Sequence, residues 1–397
     1  MSFERDIVIM GGCGHAGLPL GMAFANHGAD VTLFDSSAEA VERVNAGIMP
    51  FREIGADELL PKLLACHSLR ATTDPRTMGT AENAVVVVGT PVDRYLSPDI
   101  GSVPRAIGQV AEHLVDGQLL VLRSTIYPGV TKLVERFLTD QGRDLDVSFC
   151  PERIAEGHAL EELSGLPQVV SGRTERATAR AAALFRRLSA EIVELLPEEA
   201  ELAKLFTNTW RYIKFATANQ LFMIANDFGL DFERIRRAVT YNYPRAADMP
   251  GSGFTAGPCL LKDTMQIAAF YENNFSLGHA SMLINEGLPL YTIGKMEQRF
   301  DLATTTVGIL GMAFKGESDD VRQSLSYKLK RLLSLKAARV LCTDPYVTTD
   351  NELVPLDRVL READVLVVGT PHREYAAIET SKPTIDLFNL LGQGSRV

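Results

Sequence analysis

Short apolar runs alternate with stretches of helical periodicity along the first half of this chain. Five runs stand out, and each is followed by a glycine, a proline or a polar residue: residues 6–10, 30–34, 84–88, 119–122 and 147–150. Runs of this length are typical of strands that are buried on both faces of a sheet. Helices between successive strands favour right-handed crossovers and a parallel sheet. Such sheets bind ligands beyond the carboxyl ends of their strands, where the polar residues fall.

The middle of the chain carries no strand pattern. Residues 198–227 contain neither glycine nor proline and predict one long helix, and more helical sequence follows Leu261. Strand-like runs return at residues 306–310, 338–342, 365–368 and 384–387. We predict an α/β fold with two Rossmann-like, doubly wound parallel-sheet domains joined by a central helical region with a long helix. The predicted domains are residues 1–196, 197–300 and 301–397.

Composition and charge narrow the classes of protein. The 397 residues are 46% hydrophobic and 23% charged, as in globular proteins, and a formal net charge of −10 argues against nucleic-acid binding. The five cysteines are far apart and form no CxxC pair, so we expect neither a disulfide framework nor a metal site. The N-terminus does not resemble a signal peptide, and no apolar run approaches the roughly 20 residues of a transmembrane helix. We therefore expect a soluble, cytoplasmic protein that binds no membrane.

A glycine motif follows the first predicted strand. Gly12, Gly14 and Gly17 have the spacing GxGxxG, a helical stretch follows them, and Asp35 ends the next strand-like run. The glycines permit a tight turn, a close approach of the backbone to a pyrophosphate, and packing of the helix on the strand. An acidic residue in the position of Asp35 favours the free ribose hydroxyls of NAD over the 2′-phosphate of NADP. The sequence therefore predicts an NAD site.

Three other segments carry candidate chemistry. The glycine-rich loop 250–263 presents Cys259 as a nucleophile, although a lone cysteine is more often a small buried hydrophobic residue. Lys204 and Asn208 share one helix face, which suits a site but equally suits a solvated surface. In the last domain, a strand and a glycine turn precede Lys315 and Arg322, as in a second phosphate-binding site. That turn lacks the third glycine, so a second NAD site is not expected.

Together, these motifs resemble the UDP-glucose/GDP-mannose dehydrogenase family of nucleotide-sugar 6-dehydrogenases. The resemblance extends from residue 12 to residue 389. The motifs that carry it are, in chain order, residues 12–20, Asn45-Ala46-Gly47, Gly89-Thr90-Pro91, Ser124-Thr125 with Pro128-Gly129, Pro151-Glu152-Arg153, Lys204 with Asn208, Cys259 with Lys262-Asp263, Gly311-Met312-Ala313-Phe314-Lys315, and Asp320-Val321-Arg322. Their order along the chain is more specific than any one of them.

The resemblance implies a four-electron oxidation of a sugar C6 alcohol to a carboxylate with two NAD per turnover. Cys259 would form a thiohemiacetal and then a thioester, which water hydrolyses. Lys204 and Asn208 match positions that stabilise oxyanion character, and Asp263 matches one that handles protons. Thr125 and Glu152 match positions near the hydrolytic water, and Glu152 is the predicted base.

The resemblance also implies the binding residues and the partners. The predicted NAD site comprises Gly12, Gly14, Gly17, Asp35, Thr90, Thr125 and Arg322. The predicted UDP-sugar site comprises Glu156, Lys204, Arg245, Phe254, Gly257 and Lys315. The three predicted domains would bind NAD, form a homodimer through the long helix, and bind the nucleotide sugar, respectively. The uronic acid product would serve polysaccharide biosynthesis.

Some positions depart from the family pattern and leave the sugar open. Asn219 precedes Gln220 where members often have Asn-Glu, Gln168 stands in place of the usual Arg or Lys, and residues 256–259 read Ala-Gly-Pro-Cys. The segment Tyr243-Pro244-Arg245 favours the UDP-N-acetylhexosamine branch over the UDP-glucose branch. The alternatives are a UDP-glucose 6-dehydrogenase, a single-step hydroxyacid-type dehydrogenase, and a non-catalytic sensor of a nucleotide sugar or NAD.

Overall fold

The structure is a computed structural model that describes residues 3–93 and 95–397. The chain forms two compact units, residues 1–207 and 208–397. The division falls within one helix, α8 (Pro197–Asp227), and each unit is described separately below.

The first unit is built on one eight-stranded sheet. Its strands are β1 (Arg5–Met10), β2 (Val31–Phe34), β3 (Leu69–Thr72), β4 (Ala81–Val86), β5 (Leu119–Leu122), β6 (Asp146–Phe149), β7 (Gln168–Gly172) and β8 (Ile192–Glu194). They are ordered β3-β2-β1-β4-β5-β6-β7-β8, and Ile9 of β1 lies opposite Leu33 of β2 and Val85 of β4. Neighbouring strands are parallel except β6 and β7, which are antiparallel. The strand order reverses between β1 and β4, the position where such sheets bind ligands.

Helices cover both faces of this sheet. They are α1 (Gly17–Asn26), α2 (Ala38–Asn45), α3 (Ala56–Ala65), α4 (Ser102–Val110), α5 (Val130–Asp140), α6 (Ala159–Gly165) and α7 (Glu175–Phe185), followed by the start of α8. Ile7 and Ile9 of β1 pack in one hydrophobic cluster, whereas Val8 and Met10 pack in another. Alternate residues of the strand therefore fill cores on opposite faces, which explains the continuous apolar run.

The second unit contains a smaller sheet and most of the central helices. After the end of α8 come α9 (Phe232–Thr240), α10 (Leu260–Phe270), α11 (Ser276–Glu297), β9 (Thr306–Leu310), α12 (Leu325–Leu333), β10 (Arg339–Thr343), α13 (Leu356–Glu362), β11 (Val365–Val368) and β12 (Thr384–Ile385). The four strands are all parallel, in the order β10-β9-β11-β12. Phe222 of α8 and Leu288 of α11 pack in one core with Ile309 of β9.

The predicted fold class is confirmed, with differences at particular strands. The runs 119–122, 306–310 and 365–368 coincide with strands, and the long helix has the predicted extent. Three strands, β3, β7 and β8, were not predicted. β3 alternates buried and half-buried residues, and β8 is three residues long and largely exposed, so neither produces an apolar run. The antiparallel pairing of β6 and β7 was also not predicted. The three-domain division remains a prediction.

Candidate active site

In the turn after β1, each of the three motif positions requires glycine for a different structural reason. A Cβ on Gly12 would lie 2.7 Å from the Cβ of Leu33, and a Cβ on Gly17 would lie 2.2 Å from the carbonyl oxygen of Gly11. A Cβ on Gly14 would meet nothing closer than 3.6 Å, so this position is open to a ligand. Helix α1 begins at Gly17, and no side chain caps its first turn. The turn and the helix N-terminus therefore suit the pyrophosphate of a dinucleotide.

Asp35 lies beside this turn, as predicted. Its carboxylate accepts hydrogen bonds from the backbone N–H groups of Cys13 and Ser37, both at 3.0 Å. Burial, with a contribution from the charge of Asp35, raises the pKa of Cys13 to about 12, so this thiol stays protonated. Asp35 keeps further lone pairs for a ribose hydroxyl, and the residues of this region fit NAD.

Thr90, Thr125 and Glu152 follow three neighbouring strands, β4, β5 and β6. The sheet is parallel there, so all three lie at the same edge as the glycine turn. The Ser124 hydroxyl accepts a hydrogen bond from the backbone N–H of Val88 at 2.7 Å, which ties the loop after β4 to the loop after β5. The structure thus places these three residues at the same edge of the sheet as Gly12, Gly14, Gly17 and Asp35.

The carboxylate of Glu152 is held at both oxygens. Oε2 accepts a hydrogen bond from Nε of Arg123 at 3.0 Å and forms an ion pair with Nη2 of the same guanidinium at 2.8 Å. Oε1 accepts hydrogen bonds from the backbone N–H groups of Arg153 at 2.7 Å and Ile154 at 3.1 Å. A carboxylate has about four lone-pair positions, so Glu152 is fixed in orientation.

Arg123 is buried, and its contacts explain the unusual residue at position 168. Its guanidinium also donates to the Cys150 carbonyl and to Oε1 of Gln168, each at 3.1 Å, and it stacks over the ring of Phe185 at 4.6 Å. A neutral amide at position 168 accepts from this buried cation, whereas a second cation would repel it. Arg123 is not among the site residues predicted from the sequence. A charged residue directly after a fully apolar run is the signal that identifies it.

Glu156 lies half-buried on the loop that joins β6 to α6. A second acidic residue, Glu53, holds this loop. The Glu53 carboxylate accepts from the backbone N–H groups of Gly157 at 2.9 Å and Ala159 at 2.7 Å, and burial raises its pKa despite these hydrogen bonds. Glu53 therefore fixes the loop that carries the predicted substrate residue.

Lys204 is buried on α8 rather than lying on a solvated helix face. One turn earlier, the buried Glu201 carboxylate accepts from the backbone N–H of Gly129 at 2.6 Å, and from the N–H and hydroxyl of Thr131 at 2.9 and 2.6 Å. These bonds cap the N-terminus of α5 and fix the first turns of α8.

In the second unit, Asn208, Asp263 and Cys259 are brought together. Cys259 is exposed and immediately precedes α10, and its carbonyl accepts the backbone N–H of Asp263 at 2.9 Å. Asn208 and Asp263 are buried, and the Asn208 amide donates to Asp263 Oδ2 at 2.6 Å. Lys262 donates to the other oxygen at 2.5 Å. Cys259 is therefore not a buried hydrophobic residue but an accessible residue at the N-terminus of a helix.

The glycine-rich loop before Cys259 approaches two aromatic rings. Gly253 has φ +145°, and a Cβ there would lie 2.2 Å from the ring of Phe388. Gly257 has φ +100°, and a Cβ there would lie 2.6 Å from the ring of Phe314. Phe254 is buried and packs edge-to-face on Phe388, with ring centroids 6.2 Å apart. Close approach and positive φ explain both glycines.

Lys315 and Arg322 lie on the loop after β9. The ammonium of Lys315 lies over the ring of Phe314, 5.7 Å from its centroid. Arg322 forms a two-pronged ion pair with Asp320, with a shortest distance of 2.6 Å. The loop after β9 therefore places the Lys315 ammonium beside the glycine-rich loop, because the ring of Phe314 lies against Gly257.

Asp344 of this unit is more fully hydrogen-bonded than Asp35, its counterpart in the first unit. It follows β10, the counterpart of β2, but its carboxylate accepts the N–H groups of Met312 and Ala313 at 2.7 and 3.0 Å. His372 lies 3.0 Å from the same oxygen. Burial raises the pKa of Asp344, but the hydrogen bond and charge of His372 and the backbone N–H groups outweigh it and lower the pKa to about 2. The acidic residue is thus occupied by its own turn.

Arg245 lies apart from these contacts. It is exposed on the single turn Pro244–Ala246, and its guanidinium lies over the ring of Tyr243 at 5.8 Å. Across residues 3–93 and 95–397, no group of three or more His, Cys, Asp or Glu side chains is arranged to hold a metal. In the same described ranges, no helix combines the length and apolar character needed to cross a membrane.

Comparisons with known proteins agree with this geometry. Three domains of the UDP-glucose/GDP-mannose dehydrogenase family match the chain in order: the NAD binding domain at residues 5–189, the central domain at 198–286 and the UDP binding domain at 308–393. A UDP-N-acetyl-D-mannosamine dehydrogenase of Pyrococcus horikoshii is 30% identical over 380 residues, which cover 92% of this chain and 90% of that protein. This chain belongs to the UDP-glucose/GDP-mannose dehydrogenase family.

Two solved members of the family have nearly the same fold. The UDP-D-ManNAc dehydrogenase from Pyrococcus horikoshii has a TM-score of 0.90 at 27% identity, covering 98% of this chain and 97% of its own. A UDP-glucose dehydrogenase from Pyrobaculum islandicum also has a TM-score of 0.90 at 27% identity, covering 97% of this chain and 94% of its own. The predicted family and cofactor are confirmed: the protein is an NAD-dependent UDP-sugar dehydrogenase.

Proposed function

We propose that this protein oxidises the C6 alcohol of a UDP-N-acetylhexosamine, of the UDP-N-acetylmannosamine type, to the uronic acid. The names of the Pyrococcus horikoshii relatives and the segment Tyr243-Pro244-Arg245 support this branch. UDP-glucose is the second candidate, because a UDP-glucose dehydrogenase has the same TM-score.

The observation that carries the proposal is the group Cys259, Asp263 and Asn208. An exposed thiol at the start of α10 lies one helical turn from a buried carboxylate whose orientation an amide fixes at 2.6 Å. A single-step alcohol dehydrogenase has no need of a nucleophilic thiol, whereas oxidation to an acid without release of an aldehyde needs one.

The chemistry assigned to these residues proceeds through the sulfur of Cys259. NAD, when bound, accepts the hydride in each of the two oxidations. The Cys259 thiolate attacks the C6 aldehyde carbon, and the new C–S bond gives a thiohemiacetal whose oxygen takes a proton. Loss of that proton and of a hydride gives the thioester, and water then releases the carboxylate and the thiolate. Lys204 and Asn208 would stabilise the oxyanions.

Glu152 and Thr125 are assigned to the hydrolytic water, with Glu152 as the base. The contacts of Glu152, which are three hydrogen bonds and the ion pair with Arg123, support the fixed orientation that a base needs. Asp263 would handle the proton at the sugar oxygen.

The remaining site residues are assigned to binding. Gly12, Gly14, Gly17, Asp35, Thr90 and Thr125 would hold NAD, and Arg322 would reach its side of the site. Lys315 would contact the diphosphate, and Glu156, Arg245, Phe254 and Gly257 would contact the sugar nucleotide.

We also propose that the protein is a homodimer that assembles through α8. Leu221 and Ile224 are exposed on one face of the helix, and Phe228, directly after its last residue, is exposed as well. Ile224→Glu should shift a dimer of wild-type protein to monomer in sedimentation at micromolar concentration. A wild-type protein that sediments only as monomer contradicts this assembly.

A cytoplasmic location and a role in polysaccharide biosynthesis complete the proposal. The cysteines that the structure describes form no disulfide, and Cys259 must stay reduced to act as a nucleophile, which a reducing compartment ensures. A UDP-linked uronic acid is an activated donor for glycosyl transfer into a polysaccharide.

The decisive experiment measures NADH release with UDP-ManNAc, UDP-GlcNAc, UDP-GalNAc, UDP-glucose and GDP-mannose. We expect two NADH per sugar with one UDP-N-acetylhexosamine, and no acid from Cys259→Ser, which should still bind that substrate. Release of two NADH per sugar with UDP-glucose alone would assign the protein to the UDP-glucose branch of the family. One NADH per sugar, or none with any substrate, would refute the proposed chemistry.

A further inference from the structure

A buried asparagine on α8 holds the backbone of the glycine-rich loop at two atoms. Oδ1 of Asn219 accepts the backbone N–H of Gly253 at 2.9 Å, and Nδ2 of Asn219 donates to the Gly253 carbonyl at 3.0 Å. Asn219 is 1% exposed. One side-chain amide thus satisfies both polar groups of one peptide residue, away from water.

A second buried asparagine orients the first. The remaining Nδ2 hydrogen of Asn219 is donated to Oδ1 of Asn285 on α11 at 3.0 Å, and Nδ2 of Asn285 donates to the carbonyl of Tyr212 on α8 at 3.2 Å. Asn285 is fully buried. The donor of Asn285 faces a carbonyl, so its oxygen must face Asn219, and the Asn219 amide has a single favourable orientation.

The loop needs this support because the other contacts around Gly253 are with one ring and with hydroxyls, including a long hydrogen bond from the Thr255 hydroxyl to the Gly253 carbonyl at 3.5 Å. Gly253 passes against the ring of Phe388, and Ser252 donates its hydroxyl to the Leu387 carbonyl at 2.6 Å. Phe254, the next residue along the chain, is a predicted substrate residue. We call the two hydrogen bonds between the Asn219 amide and Gly253 the Asn219 clamp. This clamp fixes the backbone immediately before Phe254.

We propose that Asn219, oriented by Asn285, is a positioning residue that fixes the substrate-binding half of the glycine-rich loop. This inference rests on the proposed function for its kinetic consequence. Cys259 lies six residues further on, where α10 begins, so the clamp governs sugar-nucleotide binding more than the thiol itself.

The test compares Asn219→Ala with the wild-type enzyme. The variant leaves the N–H of Gly253 without its partner and its C=O with only the long hydrogen bond from the Thr255 hydroxyl at 3.5 Å, and we expect the KM for the nucleotide sugar to rise about tenfold. The KM for NAD should stay within about twofold and kcat within about threefold. Hydrogen exchange of the Gly253 amide should become at least about tenfold faster.

Asn226→Ala is the matched control. Asn226 lies on the same helix and also makes two hydrogen bonds through its amide, to Tyr291 at 2.9 Å and to the N–H of Val397 at 3.2 Å. It should lower Tm without changing the KM for the nucleotide sugar or the exchange at Gly253. Equal effects of the two variants on KM would overturn the proposal.

Asn285→Ala keeps the measurement available if Asn219→Ala does not fold. It leaves both bonds to Gly253 but removes the group that orients the Asn219 amide, so a rise in KM of about threefold is expected. An unchanged KM and unchanged exchange would refute the inference. The exchange measurement needs no turnover, so it tests the clamp even if the wild-type protein oxidises no nucleotide sugar.

Discussion

The hydrogen bond from Asn208 to Asp263 predicts a defined loss of activity when its donor is removed. The bond is 2.6 Å long, Asp263 is fully buried, and the second oxygen of its carboxylate is engaged by Lys262. Hydrogen bonds to charged groups contribute about 1.5–3 kcal/mol, because a buried charge without its donor loses that stabilisation. If Asp263 handles a proton in the reaction, Asn208→Ala should lower kcat/KM by about 10- to 100-fold.

Asn208→Asp gives a sharper version of the same test. Two carboxylates at this separation repel each other when both are ionised, even with Lys262 paired to the other oxygen of Asp263. At lower pH, a proton held by one carboxyl group can be donated to the other, which restores the hydrogen bond. The ratio of variant to wild-type kcat/KM should therefore rise as the pH falls.

The assay is the initial rate of NADH formation at 340 nm from pH 5 to 9, with Asn226→Ala as the control on the same helix. That control should retain wild-type kcat/KM at every pH. The reasoning fails if Asn208→Ala retains more than half of the wild-type kcat/KM, or if the Asn208→Asp ratio is independent of pH.

Three further predictions follow from other residues. Gly14→Ala, which meets no protein atom within 3.6 Å, should raise the KM for NAD at least about tenfold with unchanged Tm; a normal KM would place the cofactor elsewhere. The pKa of Asp344 in the folded protein is lowered to about 2, so the stability that its carboxylate contributes is complete above the unfolded pKa near 3.8 and is lost as the pH falls toward 2. Asp344→Asn should therefore lower the free energy of unfolding in urea by about 2 kcal/mol at pH 7. Equal losses at pH 7 and pH 2.5 would contradict this. Gln168→Lys should destabilise the protein by about 3 kcal/mol, because it sets a second cation beside buried Arg123; unchanged stability would show that Arg123 has another arrangement.

The strands and the long helix were predictable because their signals are local. The run 119–122 is apolar at every position and became β5, and the absence of glycine and proline after Pro197 predicted α8. β8 was missed because it is short and mostly exposed, so no period distinguishes it from a loop.

The candidate site could be predicted only in part, because only some of its residues belong to local sequence motifs. One local motif, whose spacing is typical of dinucleotide-binding turns, comprises Gly12, Gly14, Gly17 and Asp35. The structure places these residues in and beside one turn. Sequence alone left Lys204 and Asn208 undecided between a site and a solvated face, because helical spacing is the same in both cases. Their burial distinguishes the two.

Residues that act by holding others were the hardest to predict. Asn219 meets Gly253 across 34 positions of sequence, and Arg123 meets Gln168 across 45. Nothing in the local pattern around Asn219 or Gln168 specifies such a partner, since the pairing depends on tertiary packing. The sequence showed Gln168 as a departure from the family, and only the buried guanidinium beside it explains the change.

The central claim is that Cys259 carries the sugar as a thioester between the second oxidation and hydrolysis. Glu152→Gln should slow that hydrolysis, so the variant can be mixed with NAD and the nucleotide sugar, quenched in acid and digested for mass spectrometry. We expect the added mass of the uronyl nucleotide on the peptide that contains Cys259, and no added mass on the same peptide of Cys259→Ser. Formation of the uronic acid with two NADH by the Cys259→Ser variant would contradict it.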